Sequence, residues 1–317
     1  TVRFTAVNEA GNTDSVDITW SVSEAEGGEI TWGGSVSGEY DYADNWYPTV
    51  NAAGRVIFLR WEYTDSAHYF SRVLMTMNPD GTDQQEYFGS NSYWPNSLFY
   101  AKNLPGSTAA FVGIVSGHHG APREGDLVVF DVSKGRHETS GAVRRIPGWG
   151  EPVANVTKDQ LVSNRDTYFL HPFPLSDELF LVSVRPSFGW GRRFLALADI
   201  YDNIVPLRLD ADGSDLLEPV PLKATPRPKL PRDRTDPAKK TCTVLLTDVN
   251  KGPGLRGLKP GTVKKLRVYQ YDYSPRRFGG HYAVGFEGPW DLHIPLGEVD
   301  VEADGSAFFV VPKKPNA

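Results

Sequence analysis

Short apolar-rich runs, each closed by Gly, Pro, Asn or Asp, recur through the first two hundred residues of the chain. Their alternation and their early breaks predict β-strands, since a helix needs a longer run with apolar positions three and four apart. The runs are Arg55–Trp61, Val73–Met77, a polar run ending at Phe88, Ala109–Val115, Leu127–Val132, Val143–Ile146, Leu179–Val184, Phe194–Ala198 and Ile204–Leu207. The strongest, near residues 56, 112 and 181, are spaced by roughly 55 to 70 residues. They read as the inner strands of successive β-propeller blades, with loops larger than a compact blade of about 40 to 50 residues requires.

The rest of the chain divides around this repeat. In residues 1–36, Thr1–Val7 and Ser15–Val22 flank the turn Ala10-Gly11-Asn12, and Glu29–Trp32 is a third strand-like run. Two readings fit: a partial blade or the end of an immunoglobulin-like domain. The blade is favoured because Tyr40–Pro48 leads directly into the next blade-like run. Residues 37–218 are propeller blades. Residues 219–240 form a linker with six prolines between Pro219 and Pro237 and the basic cluster Lys223, Arg227, Lys229, Arg232 and Arg234. Such proline spacing favours an extended, semi-rigid strap. Residues 241–317 hold Thr243–Asp248, Val263–Tyr273 and a hairpin of Glu298–Glu302 with Ala307–Val311 about Asp304-Gly305. The predicted fold is all-β: a partial propeller of about three to four blades, then a smaller β-sandwich or barrel-like domain.

Composition narrows the function. The 317 residues include Gly 31 and Pro 24, too much punctuation for long helices, and no run approaches the ~20 apolar residues that span a bilayer. There is no secretory leader and no initiating Met, so the chain is taken as a processed or trimmed piece of something longer. The net charge of -6 is uneven: 16 minus 29 gives -13 for residues 1–221, 7 minus 2 gives +5 for 222–240, and 10 minus 8 gives +2 for 241–317. An acidic body argues against nucleic acid as a partner. A single cysteine, Cys242, excludes an internal disulfide and any Cys-x-x-Cys motif; it fits the expected periplasmic or extracellular, cell-surface location, and equally a cytosolic one.

Two stretches carry a more specific likeness. Asn91–Asn96 (NSYWPN), Val115–Gly120 (VSGHHG) and Phe169–Pro174 (FLHPFP) form the first; Asp248–Tyr273, Glu287–Asp291 (EGPWD) and Gly297–Val311 form the second. Together they resemble the alpha subunit of hydrazine synthase and its relatives in environmental bacteria, over roughly residues 40–317, with the second stretch the more specific. The resemblance implies a six-bladed propeller, a middle domain with a c-type haem and a C-terminal domain with another. This chain resembles the later blades plus the start of that middle domain. It has no Cys-x-x-Cys-His, so a c-type haem is expected only in a downstream segment, and the expected partner is that haem domain or a partner subunit.

Several residues are candidates for chemistry. His118 and His119 lie in Gly117-His118-His119-Gly120 after a strand, and His171 holds a comparable place in the next repeat. Adjacent residues on an extended segment face opposite sides, so at most one of the pair would join a shared site. With a carboxylate such as Asp166 or Asp65, His171 paired with His118 or His119 suits zinc; the plain alternative is loop histidines bonded to carbonyls. Asn78-Pro79-Asp80-Gly81-Thr82-Asp83 offers three oxygen ligands for calcium, although Asp-Gly is first a turn signal. Tyr93, Trp94, Trp149, Phe188, Trp190 and Trp290 could line a sugar surface or wedge between blades. Gly252-Pro253-Gly254 near Lys259, Lys264 and Lys265 lacks the strand–loop–helix context of a phosphate cradle and reads as a turn. No nucleophile elbow or dinucleotide fingerprint occurs. The function expected is a propeller scaffold within a larger exported, redox-type protein. A metal-dependent or haem-linked oxidoreductase subunit and a cell-surface carbohydrate-binding propeller are the alternatives; no complete catalytic constellation is present.

Overall fold

The computed structural model describes residues 2–7, 13–18, 45–61, 72–119, 123–186, 191–273 and 291–313. Among them the apolar runs are strands, and no α-helix occurs. After an N-terminal hairpin of β1 (Val2–Val7) and β2 (Thr13–Ile18) come three four-stranded antiparallel meanders. The first is β3 (Asn45–Val50), β4 (Val56–Trp61), β5 (Arg72–Met77) and β6 (Gln85–Phe88). The second is β7 (Ser97–Asn103), β8 (Ala110–Ser116), β9 (Asp126–Asp131) and β10 (Ala142–Ile146). The third is β11 (Thr167–Pro174), β12 (Leu179–Pro186), β13 (Phe194–Asp199) and β14 (Ile204–Arg208). These are the blades of a partial propeller. Their first strands, β3, β7 and β11, lie in sequence against one another at its axis.

One expectation is corrected by this order. The runs near residues 56, 112 and 181 are β4, β8 and β12, the second strands of their blades and not the inner ones. A second strand is paired on both edges and packed on both faces, so it reads as a near-continuous apolar run. The true inner strands each break register once, between Trp46 and Thr49, Phe99 and Lys102, and Leu170 and Phe173. The bulge, with Pro48, Pro172 and Pro174 in or beside it, hides them from a period-two search.

Blades join by a repeated device. Arg72, at the start of β5, bridges Ser97 of β7, and Gly125, just ahead of β9, exchanges two backbone hydrogen bonds with Phe169 of β11. Between the first two blades, Phe111 stacks on Phe130 at 4.8 Å, and Phe88 and Trp94 close against the same ring at 4.9 and 6.0 Å. Between the second and third, the buried carboxylate of Glu124 takes the guanidinium groups of both Arg185 and Arg193, and Arg165 forks onto Asp126 at 3.2 and 3.1 Å.

Residues 219–240 form no strand and cross the turns of the first blade as a strap. The Lys229 N–H donates to the Ala52 carbonyl at 3.5 Å, and the Arg234 N–H to the Asp80 carboxylate at 2.6 Å. Gly54 lies directly beneath: its φ of +77° and the Lys229 carbonyl over its Cα leave no room for a Cβ. Beyond the strap, β15 (Thr241–Leu246) pairs with β18 (Ala307–Pro312), and β16 (Lys265–Tyr273) pairs with β17 (Asp291–Asp300). The turn at Asp304-Gly305 forms as expected, but it joins strands of two different sheets and closes no hairpin. The strand-like segment Glu29–Trp32, residues 19–22 of the second run and 40–44 ahead of β3 lie outside the described residues. No helix among the described residues is long and apolar enough to cross a membrane.

Candidate functional site: a column of side chains at the propeller axis

At its bulge, each inner strand puts one residue in the left-handed backbone region: Tyr47 (φ 52°), Tyr100 (φ 53°) and His171 (φ 49°). None is Gly, so each position costs on the order of 1 kcal/mol that the surrounding fold must offset. The equivalence extends to the side chains. The rings of Tyr47 and Tyr100 are 4.1 Å apart, and the Tyr100 hydroxyl donates to the Tyr47 hydroxyl at 3.2 Å. His171 stands edge-on to Tyr100 at 4.3 Å. Its Nε2 faces Glu218 at 3.8 Å, and Glu218 is itself left-handed at φ 50°. Four side chains thus form one column.

Burial sets their protonation states. It pushes the Tyr100 phenol far up, and the bond with Tyr47 adds to the effect, so Tyr100 is a neutral donor. Burial also lowers His171; the Glu218 carboxylate opposes this, while Lys102 and Arg193 reinforce it. His171 is therefore a neutral imidazole, and its buried Nδ1 has no hydrogen-bond partner among the described residues. Lys102, two positions beyond Tyr100, is lowered by burial against the pull of Glu218 and rests its ammonium over the Phe173 ring at 4.9 Å.

His118 and His119 form a separate cluster at the end of β8. Their rings meet at 4.0 Å and 79°, so the segment bends and does not set them on opposite sides as an extended chain would. The buried guanidinium of Arg72 lies 3.7 Å over the Trp61 ring and donates to His118 Nδ1, which makes that nitrogen an acceptor. His119 Nδ1 pairs with Asp159 at 2.8 Å. Desolvation would raise the Asp159 carboxyl, but the hydrogen bond and charge of His119, with His118 nearby, hold it below its ordinary range. His171 is not gathered with this pair: no three His, Cys, Asp or Glu side chains converge as a metal site among the described residues. The carboxylates beside the histidines are Asp159 and Glu218, not Asp166; Asp65 lies outside the described residues.

The remaining candidates resolve into structure. Asn78 and Asp83 both accept from the Arg55 guanidinium, at 2.9 and 2.7 Å, and Asp80 accepts from Thr82 and Arg234, so the calcium-like set is an arginine-stapled turn. Trp94 is 2% exposed and belongs to the inter-blade core, whereas Tyr93 and Trp149 are exposed; Phe188, Trp190 and Trp290 lie outside the described residues. Gly252-Pro253-Gly254 docks where the first blade passes into the second: Asn91 in the connection donates to the Lys251 carbonyl at 2.6 Å, and a Cβ on Gly254 would overlap the Asn91 carboxamide. The column's members Tyr47, Tyr100 and Glu218 escaped the sequence reading. Their signal is a repeated tripeptide, Trp46-Tyr47-Pro48, Phe99-Tyr100-Ala101, Leu170-His171-Pro172 and Leu217-Glu218-Pro219.

Among solved structures the chain is similar to hydrazine synthase of Kuenenia stuttgartiensis, with a TM-score of 0.50 and 16% sequence identity. The match covers 95% of this chain and 40% of that one, so the chain spans well under half the length of that neighbour. At this identity the likeness concerns the fold. No family model and no curated protein matches the sequence.

Proposed function

We propose that the chain is the propeller scaffold of a larger exported protein related to hydrazine synthase, and that it docks a haem-bearing domain or a partner subunit. The observation that carries this reading is how the propeller holds the segments C-terminal to it. The strap is tied to two turns of the first blade through Ala52 and Asp80, and the loop at 251–254 is seated on Asn91 in the connection from the first blade to the second. A scaffold needs such fixed orientation between units; an untethered binding module does not. Covalent c-type haem does not fit this chain, whose one cysteine, Cys242, is exposed and has no cysteine two or three residues away. Haem chemistry in this reading belongs to another segment of the protein.

The ties are a backbone N–H to a carbonyl, a backbone N–H to a carboxylate, and a carboxamide to a carbonyl, while the strap's basic side chains stay in solvent. A protease site inserted after Thr225, once cut, should therefore leave the propeller and the 241–317 unit co-eluting in gel filtration at both low and high salt. Separation at both overturns the scaffold reading; separation at high salt alone assigns the docking to charge. The alternative of a metal-dependent subunit using His118, His119 or His171 is checked by elemental analysis of the purified protein, where stoichiometric zinc is its required result.

A further inference from the structure

The strap turns one edge to the propeller and two edges away from it. Prolines hold residues 219–237 extended at about three residues per turn, so positions three apart share an edge. Pro228 and Pro231 are half-buried on the first blade, with the Pro231 ring beside Gly54. Arg227 and Leu230 share a second edge, Lys229 and Arg232 a third, and all of them are exposed. Every basic side chain from Lys223 to Lys240 is likewise exposed, and none makes an ion pair or side-chain hydrogen bond with the described residues. The nearby carboxylates are engaged elsewhere. Asp233 accepts from the Thr235 N–H and hydroxyl at 2.8 and 2.7 Å, and Asp236 from the Ala238 N–H at 3.0 Å. Below the strap, Asp83 pairs with Arg55 at 2.7 Å, and Asp80 accepts from Thr82 and the Arg234 N–H. Among the cations stand Leu222 and Leu230, 95% and 89% exposed, more than any other large apolar side chain among the described residues.

We infer that residues 222–234 of the strap are the protein's contact with an anionic membrane surface, with the cations on lipid phosphates and Leu222 and Leu230 in the acyl boundary.

Charge and apolar exposure together select a lipid surface. A soluble polyanion would neutralise the cations but leave both leucines in water, whereas a headgroup layer takes the two at once. The planar guanidinium groups of Arg227, Arg232 and Arg234 match phosphate oxygens two at a time. Main-chain anchoring prepares the surface: the ties at Ala52 and Asp80 fix the strap's course, so contact orders side chains alone. The +5 of residues 222–240 is set against a body of -13. An anionic surface repels that body and attracts the strap, which brings the molecule in strap first. The attraction acts within a Debye length of about 8 Å at physiological ionic strength, so the two outward edges carry it.

The test is co-sedimentation of the full chain with vesicles of phosphatidylcholine containing about one-third phosphatidylglycerol, against vesicles of phosphatidylcholine alone. Binding to the anionic vesicles should be saturable, about tenfold or more tighter than to the neutral ones, and weakened by salt. Each strap cation contributes roughly fivefold, so Arg227→Gln with Lys229→Gln and Arg232→Gln should lose about a hundredfold. Leu222→Ser with Leu230→Ser should lose about tenfold or more on vesicles and nothing on heparin, the soluble polyanion used for comparison. All of these side chains are exposed, so both variants keep their fold, which unchanged urea midpoints verify. The inference falls if the anionic vesicles are not bound, are bound no better than neutral ones, or are bound fully by the charge variant. A leucine variant that still sediments like wild type makes the strap a site for soluble polyanions, and overturns it as well.

Discussion

His171 concentrates the chemistry of the axis in one residue: a strained backbone, a buried ring and an unmatched Nδ1. Because burial holds its folded pKa below the ordinary value near 6.5, the unfolded chain binds the proton more readily. Stability is then fully present above about pH 6.5 and is lost as pH falls from there towards the lowered folded value, at up to about 1.4 kcal/mol per pH unit for one proton. Urea titrations of wild type and His171→Gln between pH 7 and 5 should diverge in slope, the variant lacking this component. The groups facing His171 are Tyr100 and Lys102 from β7, Glu218 and Arg193, so the effect belongs to the column as a unit. His171 is visible in the sequence as a histidine after a strand. Its neighbours are not, because a tyrosine two residues into an unpromising run looks like any surface aromatic until a bulge turns it to the axis.

At the level of strands, the sequence reveals most clearly those whose surroundings are most uniform. β4, β8, β9 and β12 are covered on every side and spell this out in Val, Ile, Leu and Phe; the inner strands mix Tyr, His, Lys and Pro and offer no such pattern. The pairing of β15 with β18 and of β16 with β17 cannot be read from the Asp304-Gly305 turn, since turn chemistry fixes a reversal but not which strand lies next to it. Blade-to-blade joints are equally invisible, as they join residues such as Glu124, Arg185 and Arg193 that are far apart in sequence. Glu124 is 1% exposed, and removing it leaves the Arg185 guanidinium without its carboxylate at the seam of the second and third blades and Arg193 with Asp215 alone. Glu124→Ala should lower unfolding stability by about 3 kcal/mol, read from denaturant midpoints, and Glu124→Gln should recover only part of it.

Across the whole molecule, charge and strap work together in an unexpected way. The sequence sets an acidic body of -13 against a linker of +5, which invites a picture of electrostatic clamping. The structure anchors the strap instead through main-chain donors, and leaves Lys223, Arg227, Lys229, Arg232 and Arg234 exposed. Asp80 is the carboxylate that a strap N–H engages at 2.6 Å. Asp80→Ala should thus free the strap around Arg234, and trypsin should cut residues 223–240 several-fold faster at an unchanged melting temperature.

The left-handed residue of each inner strand has a consequence for anyone who would shuffle this propeller. Val, Ile and Thr are poorly tolerated in that backbone region, whereas Gly and Asn occupy it readily. Positions 47, 100 and 171 are therefore natural splice points: a chimaera joined there inherits the geometry of both parents, provided that the junction residue is not β-branched. A graft cut a few residues away would carry one parent's bulge into the other parent's register, and shift every later side chain in that strand to the wrong face.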